Sequence, residues 1–179
     1  MLEACKHDNI VAYFGAFQRG HTMWIAMEYC GGGSVSDIYN KNCTPLEEDV
    51  IAHITFYSLL GLEYLHQSHL VHRDIKPGNL LLDSTGTVWV ADFGLAKFSE
   101  QDNVSRTGDI VGTLAYMPPE SFSGETDERG DIYALGLTLF EMLALRPAFY
   151  GRDRGQLPGS SAESGQDAVP TGTDDRGYL

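Results

Sequence analysis

Apolar positions fall into a few short periodic runs along this chain, with polar or glycine-rich connectors between them. Leu80-Leu81-Leu82-Asp83 and Thr87-Val88-Trp89-Val90-Ala91 are apolar and β-branched stretches separated by Ser84-Thr85-Gly86, which predicts a β-hairpin. Ile51, Ile54, Leu62 and Leu65 recur at helical spacing. Ahead of them, Thr44-Pro45-Leu46-Glu47 has the form of a capping box with proline at the first helical position, so a helix over about 45–67 is expected. The run from Asp131 to Leu143 is apolar on nearly all sides. That suits a helix buried in the middle of a lobe, and the run is too short and too interrupted to span a bilayer. Gly31-Gly32-Gly33-Ser34 reads as a flexible connector joining two substructures. From Gly151 to Leu179 the chain is rich in Gly, Ser, Asp and Pro without helical periodicity, and a disordered tail is expected there.

The candidate chemistry is concentrated beside the predicted hairpin. His72-Arg73-Asp74-Ile75-Lys76-Pro77-Gly78-Asn79 leads into its first strand, and Asp92-Phe93-Gly94 follows its second. The hairpin therefore holds Asn79 and Asp92 near one another. In this order the residues suit phosphoryl transfer. Asp74 is a carboxylate able to orient a hydroxyl nucleophile and accept its proton. Lys76 offers a compact positive charge beside phosphoryl oxygens. Asn79 and Asp92 supply hard oxygen ligands for Mg2+, which favours one or two carboxylates plus phosphate oxygens.

These two motifs resemble the catalytic and metal-binding loops of the protein kinase family, and two ordered motifs are far more specific than one. The resemblance implies an α+β fold of two lobes, represented here in part: the end of the small lobe and hinge over 1–33, and much of the mainly helical large lobe over 34–150. It implies ATP and Mg2+ as cofactors. Met23 to Ser34 is similar to the last small-lobe strand and hinge, which would make Met27 the gatekeeper and give the adenine edge to the backbone of Glu28 and Cys30. Leu81 would form the floor under the adenine, and the glycines would let the chain pass close to the nucleotide. Asp131 would support the catalytic loop by binding its backbone amides, and His72 would pack against Phe93. The segment between Asp92 and Glu120 resembles an activation loop and its anchor. Thr113, together with Lys76, follows the pattern of Ser/Thr rather than Tyr kinases, so protein serine or threonine hydroxyls are the expected acceptors. Arg73 is the residue that would receive an activating phosphate. Asp109 stands at the place of the phosphothreonine of the sterile-twenty pattern, so a carboxylate that pairs with Arg73 and partly orders the loop is one expectation and a solvated loop carboxylate the other, with Thr107 and Ser105 as candidate phosphosites.

The likeness is uneven along the chain. Ile10 to Gly15, the hinge and Ser34 to Tyr39 look most like the sterile-twenty and germinal-centre kinases, whereas the stretch from Lys76 to about Leu157 looks more like bacterial Ser/Thr kinases. The glycine-rich loop, strand lysine and helix glutamate of a complete kinase do not occur in this sequence, which puts the activity of the 179 residues alone in doubt.

Composition narrows the partners. The net charge of −13 disfavours nucleic acid and anionic membrane and is compatible with basic protein substrates. Three cysteines, Cys5, Cys30 and Cys43, have no metal-binding spacing, so reduced thiols and a cytoplasmic setting are expected. Two rival functions fit parts of the sequence. His66, His69 and His72 are spaced as transition-metal ligands on one helix face would be, although no nearby acid or cysteine completes a zinc set. The other rival is a kinase-like interaction module without catalysis; an undegraded catalytic loop argues against it.

Overall fold

The computed structural model describes residues 6–92, 97–98, 113–123 and 127–149. Phe93, Asp109, Thr107 and the expected tail from 151 lie outside the described residues, as does Cys5. The chain opens with a hairpin of β1 (Tyr13–Arg19) and β2 (Thr22–Met27), turned at Gly20 in the left-handed region. Next come β3 (Gly33–Ser34), α1 (Val35–Asn42), α2 (Glu48–Gln67) and β4 (Leu70–Val71). A 3-10 turn over Pro77–Asn79 leads into β5 (Leu80–Leu82), β6 (Val88–Val90) and β7 (Lys97–Phe98). Two further 3-10 turns, Leu114–Tyr116 and Pro119–Ser123, precede α3 (Glu128–Ala144).

The expected hairpin forms between β5 and β6, with Leu80 opposite Val90 and Leu82 opposite Val88. Its connection is fastened by the Asp83 carboxylate, which accepts N–H groups of Thr85 at 2.8 Å and Thr87 at 3.0 Å. The Thr85 hydroxyl adds a third bond, and these contacts draw the Asp83 carboxyl down to about 2. β3 pairs with the other edge of β5, and the N-terminal stretch at Asn9–Val11 runs along β6: Val11 donates to Val90 O at 3.0 Å and Val90 to Asn9 O at 2.9 Å.

Helix α2 buries the stripe that its sequence implies, Ile51, Ile54, Leu62 and Leu65 all being 5% exposed or less. Gly61 lies on the same face, and a β-carbon there would come within 2.8 Å of Asn9 O, so glycine is what lets α2 approach this segment and β6. These residues join Ile10, Val35, Ile75, Leu80, Val88, Val90, Leu135 and Met142 in a single core.

Two expectations are corrected. α2 begins at Glu48 rather than near 45, with Glu47 at the cap and no side-chain capping bond. The Leu46 N–H instead donates to Met142 O at 3.2 Å, and Leu46 packs on the core, so a tertiary contact overrides the local capping signal at Thr44. A capping box does occur, at α1, where Asp37 N–H donates to Ser34 Oγ at 3.1 Å and Ser34 N–H to Asp37 Oδ2 at 2.9 Å. Second, α3 is buried along one face rather than all round: Leu135 and Met142 are enclosed, whereas Ile132, Phe140 and Leu143 are 42–56% exposed.

Candidate functional site

β4 delivers the chain to the 72–79 loop, and β5 receives it. The loop is held from behind by Asp131 of α3. Asp131 is 1% exposed, and it accepts the N–H of His72 at 2.9 Å, the N–H of Arg73 at 2.8 Å and a contact from His66 Nε2 at 2.8 Å. Arg73 adopts a left-handed φ of 70°, a conformation that a non-glycine residue keeps only when its surroundings impose it. His72 is buried, with Nδ1 accepting the Asp74 N–H at 3.2 Å and Nε2 donating to Ala91 O at 2.9 Å. Burial pushes the His72 pKa down, and the Nδ1 acceptor role is consistent with the neutral imidazole.

Asp74 is the centre of the cluster and is 8% exposed. Its Oδ1 accepts the Thr113 N–H at 3.0 Å and the Thr113 hydroxyl at 2.8 Å; its Oδ2 accepts Lys76 Nζ at 2.6 Å and Asn79 Nδ2 at 3.1 Å. Burial alone would raise the Asp74 pKa, but the hydrogen bonds from Lys76 and Thr113 outweigh it and hold the carboxyl below its ordinary value. Lys76 also donates to Thr113 Oγ1 at 2.8 Å, so Asp74, Lys76 and Thr113 form a closed triangle.

Asn79 donates from Nδ2 to Asp74 O at 2.7 Å as well, which leaves its Oδ1 as the atom able to take a cation. Its backbone carbonyl accepts the Ala91 N–H at 2.9 Å, bringing Asn79 beside the residue that precedes Asp92. Asp92 is exposed at a left-handed φ of 65°. One amide oxygen and one exposed carboxylate fit magnesium, a hard cation that completes its shell with phosphate and water.

At the hinge, the Glu28 N–H is used on Ala12 O at 2.8 Å and the Cys30 carbonyl accepts Gly33 N–H at 3.2 Å. The Glu28 carbonyl and Cys30 N–H take no backbone partner among the described residues, the pair that an adenine edge requires. Met27 ends β2 at 48% exposure, and Leu81 sits half-buried in β5 between Ser34 and Trp89. A β-carbon at Gly32 would meet Leu82 O at 2.8 Å and Asp83 O at 2.9 Å, so glycine there admits the close approach of β5.

The histidine triplet does not converge on a common point. His66 faces Asp131, His72 is engaged by Ala91 and Asp74, and no group of three His, Cys, Asp or Glu among the described residues could hold a metal ion. The expected contact of His72 with Phe93 and the pairing of Arg73 with Asp109, or with Thr107 once phosphorylated, lie outside the described residues. Sequence reasoning missed Tyr39, Tyr116 and Glu141. The signal available was an acidic residue, Glu141, in the apolar C-terminal half of α3, which calls for buried partners.

The sequence matches the protein kinase domain over residues 1–167, and the chain belongs to that family. Serine/threonine-protein kinase dst2 of Dictyostelium discoideum is 40% identical over 152 residues, covering 82% of this chain and 13% of that protein. Serine/threonine-protein kinase 1 of Arabidopsis thaliana is 44% identical over 143 residues, 79% of this chain and 17% of its own length. Mitogen-activated protein kinase kinase kinase kinase 3 of Homo sapiens is 40% identical over 154 residues, 84% of this chain and 17% of its own length. The chain thus spans less than a fifth of each of these three relatives. They bear out the likeness to sterile-twenty and germinal-centre kinases; the likeness of the later stretch to bacterial kinases gains no support from them. No helix among the described residues is long and apolar enough to cross a membrane.

Proposed function

We propose that this chain supplies the catalytic loop of a serine/threonine protein kinase, which transfers the γ-phosphoryl group of ATP to protein hydroxyls. The observation that carries the reading is the closed cluster of Asp74, Lys76, Thr113 and Asn79. Asp74 orients the acceptor hydroxyl and takes its proton, and the hydrogen bonds from Lys76 and Thr113 hold its carboxylate in place for that task. Thr113 fixes Oδ1 from the acceptor side, and Lys76 sets a positive charge beside the position of the transferring oxygens. Asn79 Oδ1 and the Asp92 carboxylate would hold magnesium, which when bound neutralises phosphate charge. The Glu28 carbonyl and Cys30 N–H read the adenine edge, Leu81 lies under it and Met27 stands behind it. Arg73 and the segment containing Thr107 and Asp109 are the regulatory part of this reading. The cysteines without metal spacing support a cytoplasmic setting, and the charge of −13 supports protein substrates and no nucleic acid.

The test uses the full-length gene product that contains this chain. Asp74→Asn should lower phosphoryl transfer to a serine or threonine peptide by about 10²- to 10⁴-fold, the usual range for a general base, with ATP affinity unchanged. Loss of ATP affinity in step with activity would reassign Asp74. A wild-type protein that binds ATP and transfers nothing would favour the interaction module.

A further inference from the structure

A second set of contacts reaches the Asp74 cluster through Glu141 of α3. Glu141 lies in apolar helix α3 at 8% exposure, where a carboxylate is costly unless it is hydrogen-bonded. Both of its oxygens receive a tyrosine hydroxyl: Tyr39 of α1 donates to Oε1 at 2.5 Å, and Tyr116 donates to Oε2. Burial first, and the Glu141 hydrogen bond and charge after it, push both phenol pKa values up, so each remains a donor. Tyr116 in turn donates its N–H to Thr113 O at 2.9 Å, and Thr113 holds Asp74 Oδ1 through its own N–H and hydroxyl. Tyr39 is 3% exposed, and neither its hydroxyl nor its helix bonds to Asp74, Lys76 or Thr113.

We infer that Tyr39, acting through Glu141 and Tyr116, is a positioning residue for the acceptor side of the catalytic cluster; the word acceptor rests on the kinase reading above. Removing its hydroxyl leaves Oε1 buried without a donor. A buried carboxylate regains a partner only by rotating or moving toward water, and either movement displaces Tyr116 and the Thr113 backbone bonded to it. A tyrosine that merely filled the core would be replaced by phenylalanine without consequence at Thr113.

The experiment compares wild type with Tyr39→Phe, which keeps the ring, in the full-length gene product. Hydrogen exchange at the Thr113 and Tyr116 amides should speed up about tenfold, equivalent to about 1.4 kcal/mol, while the Cys43 amide that closes α1 is unchanged. In peptide phosphorylation, kcat/KM for the acceptor should fall about tenfold with the KM for ATP unchanged. Adding Tyr116→Phe should cost less in the variant than in the wild type, because both act on one carboxylate. Unchanged exchange at Thr113, or equal loosening of α1 and Thr113, overturns the inference. If the wild type transfers no phosphate while the amide effect appears, the kinase reading fails and the Tyr39 link to Thr113 stands.

Discussion

Asp131 and Arg73 are joined by a hydrogen bond from the Arg73 N–H to Asp131 Oδ1 at 2.8 Å, across 58 positions of sequence. The same carboxylate holds the preceding N–H, that of His72. Arg73 is the residue with φ of 70°, a conformation that costs about 1–3 kcal/mol outside glycine. The left-handed turn that aims Asp74 into its cluster is thus kept in place by a buried acceptor on α3.

Asp131→Ala should therefore orphan two backbone donors and lower unfolding stability by about 3 kcal/mol, at the upper end of what a buried unsatisfied group costs. Asp131→Asn retains one acceptor oxygen and should fall between. Urea midpoints ranking wild type above Asn above Ala check this, and equal midpoints for Asn and wild type would show that Oδ1 and Oδ2 are not both needed.

Thr113 contributes a hydroxyl and an N–H to Asp74 Oδ1, and valine removes the hydroxyl while keeping the N–H. Thr113→Val should lower acceptor phosphorylation by about tenfold, the effect of about 1.4 kcal/mol lost from a hydrogen bond to a charged group. Thr113→Ser should recover most of it. The comparison is read in kcat/KM for a peptide substrate, and equal rates for Val and Ser would assign the contribution to the backbone alone.

The stability of the 72–92 region should depend on pH through His72. Its folded pKa lies below the ordinary value of 6.5 because of burial, so the unfolded chain takes up the proton first as pH falls. Stability from this group is complete above pH 6.5 and declines below it, with a slope approaching about 1.4 kcal/mol per pH unit until the folded pKa is reached. The depressed Asp74 acts in a lower window: its contribution is present above 3.8 and is lost as pH falls through its folded pKa. Urea titrations at pH 7 and pH 5.5 should differ in wild type, and the difference should shrink in His72→Tyr, which does not titrate in this range.

Much of this architecture is written locally. The α2 stripe of Ile51, Ile54, Leu62 and Leu65 and the β5–β6 alternation are periodic, so their buried faces follow from spacing alone. The grouping of Asp74, Lys76 and Asn79 follows from their nearness along a short loop. What sequence conceals is set by distant partners. Leu46 reaches Met142, which cancels the capping signal at Thr44, and Glu141 finds Tyr39 across 102 positions. The apolar run 131–143 is equally hydrophobic on the face that packs and the face carrying Ile132, Phe140 and Leu143, so periodicity could not tell the two apart.

Two helical glycines separate packing from propensity. Gly61 of α2 and Gly136 of α3 both forgo the helix propensity of alanine, a difference of about 1 kcal/mol. Around Gly136 a β-carbon would meet nothing within 4 Å, and the residue is exposed. Gly136→Ala should therefore raise stability by about that 1 kcal/mol. At Gly61 the added carbon would lie 2.8 Å from Asn9 O and 3.0 Å from Val90 Cγ2, and the first of these is backbone that is itself bonded to Val90 N–H. The Asn9 carbonyl cannot yield without straining its bond to the Val90 N–H, which joins the N-terminal stretch to β6. Overpacking of this kind costs about 1–3 kcal/mol, enough to exceed the propensity gain, so Gly61→Ala should lower stability. Thermal or urea unfolding of the two variants should move in opposite directions from wild type. A stabilised Gly61→Ala would mean that α2 stands farther from β6 than these distances allow.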